Sequence, residues 1–120
     1  MNKIFNVGII GMGYWGPNIL RVLLKNKSFN ICKVVDHSKK RLQYVKKINK
    51  NISTSKNIND IIYDKKLNSV FICTPAKSHF KITRECLKTK KNVFVEKPIA
   101  LSLKQVNKLF LLSKKRKLIL

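Results

Sequence analysis

Ile4-Phe5-Asn6-Val7-Gly8-Ile9-Ile10 runs directly into Gly11-Met12-Gly13-Tyr14-Trp15-Gly16. A G-x-G-x-x-G hexad carries meaning only in context, and here the context is complete. The run before it is apolar and strand-like. After it, Ile19, Leu20, Leu23 and Leu24 recur at helical spacing. Asp36 closes the next apolar run, 20 residues beyond Gly16. Strand, glycine turn, helix and acid in that order form the fingerprint of a dinucleotide-binding βαβ unit. Gly11 permits the tight turn off the strand. Gly13 has no Cβ, so a pyrophosphate can approach the backbone. Gly16 lets the helix pack close to the sheet. The helix start offers unpaired N–H groups and the positive end of its dipole. Asp36 offers acceptors to a ribose 2′-OH and repels a 2′-phosphate. The competing reading is a glycine-rich turn in an unrelated α/β protein, and the register of all four features argues against it.

The same alternation continues along the chain. The expected elements are a strand over Lys3–Ile10, a helix over Gly16–Lys27 with Pro17 in its first turn, and a strand over Ile31–Val35. A helix over Lys39–Lys50 follows, capped by Ser38, with Leu42, Val45 and Ile48 inward. A short strand over Ile52–Ser55 and a short helix over Ile58–Tyr63 come next. Ser69–Cys73 reads as a buried strand stopped by Thr74-Pro75, followed by a helix over Ser78–Thr89 facing inward through Ile82, Cys86 and Leu87. Asn92–Val95 is another buried strand. The last helix spans Ser102–Lys115, with a Ser102/Gln105 capping box and Val106, Leu109, Phe110 and Leu112 inward. Strands alternating with helices predict an α/β fold, a doubly wound parallel Rossmann sheet covered on both faces with right-handed crossovers. Lys117–Leu120 looks like the opening of one more buried strand, cut short. The whole of residues 1–120 reads as one domain of ordinary size.

The charge is extreme: 27 Lys and Arg against 5 Asp and Glu, a net +22. A nucleic-acid partner is the obvious thought. Against it, only Arg21, Arg41, Arg84 and Arg116 are arginines, the residue that bidentate phosphate or guanine recognition prefers. The lysines are spread over nearly every expected helix, amid abundant Asn and Ile. We read this as surface composition that steers anions rather than as a groove. No apolar stretch approaches the ~18 residues of a membrane span, and Met1-Asn2-Lys3 leads into a strand without a signal-like segment. Cys32, Cys73 and Cys86 show no C-x-x-C spacing, which fits buried reduced thiols in a cytoplasmic protein and no metal site.

Three segments together resemble the N-terminal domain of the Gfo/Idh/MocA oxidoreductases: Val7–Gly16, Ile72-Cys73-Thr74-Pro75-Ala76-Lys77-Ser78-His79, and Val93-Phe94-Val95-Glu96-Lys97-Pro98-Ile99-Ala100-Leu101-Ser102. Glu-Lys-Pro after a buried strand is the most specific mark. The wording from Gly13 to Arg21 is similar to the sugar-nucleotide 3-dehydrogenase branch. The resemblance covers essentially the whole chain. It implies a two-domain NAD(P)-dependent enzyme that moves hydride between a sugar or cyclitol carbon and nicotinamide. By position, Gly11, Gly13, Tyr14, Trp15 and Gly16 would line the pyrophosphate turn. Asp36 would take the adenosine ribose, and Thr74, Pro75 and His79 would stand beside the cofactor. Glu96, Lys97 and Pro98 would lie near nicotinamide and substrate, with Lys97 the catalytic residue.

Several roles stay open at this point. Lys97 can polarise a substrate oxygen and, if desolvated, join a proton relay, or it is one more surface lysine. Glu96 fixes a ribose hydroxyl, orients Lys97 or simply ion-pairs. His79 contacts the cofactor or only caps and packs. Tyr14 and Trp15 cover the cofactor or fill the helix–sheet seam. Asp36 argues for NAD, whereas His37, Ser38, Lys39, Lys40 and Arg41 would accommodate NADP. The family's second, α+β domain, which holds substrate and usually the oligomer interface, has no counterpart in these 120 residues. The expectation is therefore a cofactor domain that is inactive by itself. The alternatives are a non-catalytic dinucleotide-binding module or partner subunit, and a basic nucleic-acid binder.

Overall fold

The computed structural model describes residues 3–120. Five parallel strands form one sheet: β1 (Phe5–Ile10), β2 (Phe29–Val35), β3 (Ser53–Ser55), β4 (Ser69–Ile72) and β5 (Asn92–Val95), in the order β3-β2-β1-β4-β5. Four helices join them, α1 (Gly16–Leu24), α2 (Lys39–Ile48), α3 (Asn59–Ile62) and α4 (His79–Lys88), and α5 (Leu103–Arg116) follows β5. Apolar side chains alternate across the sheet and build two cores. Val7 and Ile9 face α1 and α2, packing with Leu20, Leu23, Leu42 and Val45. Ile10, Val70, Ile72 and Val93 face the other way, onto Ile61, Ile82, Cys86, Leu87 and Leu109. Gly8 keeps this second face close: a Cβ there would stand 2.9 Å from Leu67 Cδ1 and 3.0 Å from Ile61. The strand order reverses direction between β1 and β4, and a ligand crevice forms outside the carboxyl ends at such a switch point.

Most expected elements form, with shifted ends. The first helix stops at Leu24, short of Lys27, because Asn26 turns the chain: its side chain accepts the Ser28 N–H at 2.9 Å and its carbonyl the Phe29 N–H at 3.1 Å. That turn starts β2 two residues early, and Phe29 pairs with Phe5, their rings 5.8 Å apart. Cys32 lies at a bulge where the register shifts between Val7 and Gly8. The bulge explains how Ile31 and Val34, three residues apart, both enter the α1/α2 core. A 3-10 turn over Ala76–Ser78 precedes α4, so this helix begins one residue late.

Several inward assignments need correction. Leu24, Ile48 and Phe110 are all substantially exposed. In α5 the buried line runs through Val106, Leu109 and Ser113, and Phe110 falls one position outside it. Of the cysteines, only Cys86 is fully buried; Cys32 and Cys73 are partly exposed. No strand forms over Lys117–Leu120. Instead the Ile119 carbonyl accepts the Val93 N–H at 2.9 Å, and the Ile119 N–H reaches Asn92 Oδ1 at 2.9 Å, alongside β5. Among the described residues no helix is long and apolar enough to cross a membrane.

Helix caps and one ion pair make checkable contributions. Ser102 Oγ accepts the Gln105 N–H at 3.2 Å, and Gln105 Oε1 reaches back to the Leu101 N–H at 3.2 Å. Replacing Ser102 with Ala is expected to cost about 1 kcal/mol in chemical denaturation. Asp64 has its carboxyl pKa lowered, first by the Lys66 backbone N–H and then by Lys33, whose Nζ stands 3.0 Å away. A carboxyl lowered in the fold stabilises above its unfolded value and loses that contribution as pH falls through the folded one. Asp64→Asn should therefore cost roughly 0.5–1 kcal/mol at pH 7, and the difference from the native chain should vanish in urea titrations at strongly acidic pH.

Candidate functional site

At the carboxyl ends of β1, β2, β4 and β5 lies a cleft of about 1490 Å³. Gly11, Gly13, Tyr14, Trp15, Asp36, Thr74, Pro75, His79, Glu96 and Lys97 all contribute to its wall. Two expected residues do not. Gly16 lies beneath the turn, where a Cβ would collide with the Gly11 carbonyl oxygen. Pro98 shapes the turn outside the cleft, and its carbonyl is engaged by His79.

The glycine turn is held from below. Gly11 adopts φ +97°, and a Cβ there would stand 2.7 Å from the Cys73 carbonyl oxygen, so β4 presses directly against the turn. Above Gly13 there is space: its nearest neighbour for an added Cβ is Arg41 Nη1 at 3.6 Å. The start of α1 is also left free. Ser38 and Ser102 cap α2 and α5 through their hydroxyls, but no side chain caps α1 behind Trp15. Trp15, the residue at its N-cap, lines the cleft, so the uncapped positive end of the helix dipole lies at the cleft edge, where an anion is favoured. A Gly13 surface whose nearest neighbour is the flexible end of Arg41, beside an uncapped helix end, fits a pyrophosphate.

Asp36, 7% exposed, stands one residue past β2. Its Oδ2 accepts the Met12 N–H at 2.6 Å and its Oδ1 the Ser38 N–H at 2.8 Å. Arg41 Nη1 lies 3.7 Å from Oδ1. Each carboxylate oxygen retains a lone pair, so sugar hydroxyls can still be accepted.

At the other end, Thr74 Oγ1 and Ser78 Oγ are 2.6 Å apart, and Ser78 Oγ donates to the Pro75 carbonyl at 2.7 Å. The single Ser78 proton is thus committed, so Thr74 donates to Ser78. Toward a ligand, the Thr74 hydroxyl can then only accept. Cys73 also lines the cleft, and its thiol is pushed up to about 12, by burial first and then by the Glu96 carboxylate. It stays a thiol and is no nucleophile. Tyr14 is 86% exposed and Trp15 51% exposed, edge-to-face at 5.6 Å; neither fills the helix–sheet seam. His79 is 1% exposed, with both ring nitrogens on backbone carbonyls. His37 is exposed.

Lys56, Asn57 and Ile58, which follow β3 and complete the wall beside Asp36, carry no mark in the sequence. A three-residue strand leaves little periodicity to locate its carboxyl end. Lys81 and Ile82, one turn into α4, line the cleft unmarked as well.

The family model for the oxidoreductase family with an NAD-binding Rossmann fold, Gfo/Idh/MocA, matches residues 5–120. The chain belongs to the Gfo/Idh/MocA family. Its fold is that family's NAD-binding Rossmann domain. Myo-inositol 2-dehydrogenase of Thermotoga maritima is 28% identical over 114 residues, 95% of this chain and 34% of its own. The 2,7-anhydro-N-acetylneuraminate hydratase of Escherichia coli is 30% identical over 104 residues, 82% of this chain and 26% of its own. GenD2 from gentamicin A biosynthesis, solved in complex with NAD, superposes with a TM-score of 0.90 at 22% identity, over 97% of this chain and 33% of its own. The chain thus spans about a third of the length of such relatives.

The two glycines separate affinity from folding. Gly13→Val should leave the melting temperature nearly unchanged and weaken NADH binding at least tenfold, about 1.4 kcal/mol, read by energy transfer from Trp15. Gly16→Val should instead lower stability by more than ~2 kcal/mol, because the collision is with backbone.

Proposed function

We propose that this chain is the cofactor half of an NAD-dependent dehydrogenase acting on a sugar, sugar nucleotide or cyclitol. The observation that carries this reading is a single cleft with a different chemistry at each end. The open Gly13 turn, the uncapped start of α1 and the acceptors of Asp36 occupy one end; Thr74, Glu96 and Lys97 occupy the other. NAD, when bound, supplies a hydride acceptor at the second end.

In this reading Gly11, Gly13, Tyr14, Trp15 and Gly16 form and support the pyrophosphate turn, and Asp36 accepts the adenosine ribose hydroxyls. Thr74 and Pro75 border the nicotinamide half, with Thr74 as acceptor. Glu96, Lys97 and Pro98 make the turn nearest the substrate. Lys97 is the catalytic residue: its ammonium polarises the substrate oxygen and stabilises negative charge developing there. The 28% identity to a myo-inositol 2-dehydrogenase supports a polyol carbon as the site of oxidation. The free cysteines fit a reducing, cytoplasmic setting.

Residues 1–120 act as one domain in this proposal. Hydride transfer needs the substrate held at near-attack distance with water excluded. The cleft supplies one wall, so turnover depends on a substrate-holding domain of the kind that fills out the longer relatives, in an assembly expected to be homo-oligomeric. A non-catalytic dinucleotide-binding subunit is the second reading, and it is favoured if the chain acts at its present length.

Joining residues 1–120 to the remainder of the Thermotoga relative tests the first reading. The chimera is expected to oxidise myo-inositol with NAD, and Lys97→Met should lower kcat by about 10²-fold or more. A folded chimera that binds NADH without turnover would favour the second reading. Asp36→Asn should narrow the NADH-over-NADPH preference by about tenfold, ~1.4 kcal/mol, because the charge opposing a 2′-phosphate is gone while an acceptor for Met12 remains.

A further inference from the structure

His79 opens α4 and is 1% exposed. Its Nδ1 lies 2.7 Å from the Pro98 carbonyl oxygen and its Nε2 2.6 Å from the Thr74 carbonyl oxygen. Carbonyl oxygens only accept, so each nitrogen has to donate, and the pair of bonds calls for a proton on each. Thr74 lines the cleft and Pro98 lies just outside it, on neighbouring turns. Thr74 is on the turn that ends β4, and Pro98 is on the turn that ends β5. Lys97, the residue just before Pro98, is exposed and enters the cleft. The two strands are already joined below by the Glu96 N–H on the Ile72 carbonyl at 3.1 Å. Beyond that last ladder bond, the imidazole joins the turns.

We propose that His79 is a positioning residue: its ring cross-links the Thr74 and Pro98 carbonyls at the cleft wall and thereby fixes where Lys97 stands. Direct bonding to a ligand is not its task, because both nitrogens are spent on the protein. The cross-link stands on geometry alone; its value for Lys97 in binding rests on the cofactor reading above.

The test uses the 120-residue chain with nitrogen-15 label. It holds two histidines, and exposed His37 serves as the internal control. Ring-nitrogen correlation spectra should show one histidine with slowly exchanging protons on both nitrogens, absent from His79→Gln. One protected ring proton, or none, in the folded chain overturns the cross-link. His79→Gln should also move the backbone amides of Glu96, Lys97 and Ile99; unmoved amides overturn the positioning role.

NADH affinity gives a separate arm. His79→Gln and Lys97→Ala should each weaken binding about fivefold, and the double variant should lie within about twofold of Lys97→Ala. Losses that multiply instead would show that His79 acts independently of Lys97. A native chain that binds no NADH would count against the cofactor reading, and the ring and amide spectra would still decide the proposal.

Discussion

The carboxylate of Asp36 holds the site together. Its Oδ2 accepts the Met12 N–H at 2.6 Å from a position that is almost wholly buried. This bond fastens the glycine turn after β1 to the end of β2, and the Ser38 N–H on Oδ1 fastens the entry to α2 to the same group. Charge-assisted bonds of this kind are roughly twice as strong as neutral ones. Removing the acceptor would leave two backbone donors without partners at the floor of the cleft, each at a cost of about 1–3 kcal/mol. The Asp36 N–H in turn bonds to the Ser55 carbonyl at 3.2 Å, so β3 is tied in as well. One side chain therefore serves both fold and site: it sets the turn while keeping lone pairs for a ribose.

Steric pressure does the rest. The Gly11 and Gly16 positions are closed by backbone, whereas a Cβ at Gly13 would make only ordinary contact with the Arg41 side chain. The three glycines of one motif thus carry three different loads: a left-handed turn against β4, an approach surface for ligand, and a close helix–turn contact. A single sequence pattern makes them look equivalent, and only packing separates them.

The parallel sheet and most residues of the cleft wall were legible because β1, β2, β4 and β5 are short β-rich apolar runs and the residues in question follow them directly. Asp36, Thr74 and Glu96-Lys97 were located by the end of the strand before them. What stayed hidden has physical reasons. The bulge at Cys32 changes which residues face which core without altering composition. Ser113 is buried and Phe110 is not because Ser113 follows Leu109 by one helical turn, and the Ser113 hydroxyl satisfies itself on the Phe110 carbonyl at 2.8 Å. The double bonding of His79 joins residues 19 positions apart, beyond any local pattern. The net charge of +22 spreads over the surface rather than defining the cleft, yet Arg41, Lys56, Lys77, Lys81 and Lys97 do ring the opening. An anionic dinucleotide would be steered there at low salt.

The most direct test of the account is a map of amide shift changes on adding NAD to the folded chain at moderate salt. Saturable changes should concentrate at Gly11–Gly16, Asp36–Ser38, Thr74–Lys77 and Glu96–Lys97. Changes scattered over the lysine-rich outer faces of α2 and α5, or no changes in a folded chain, would contradict it.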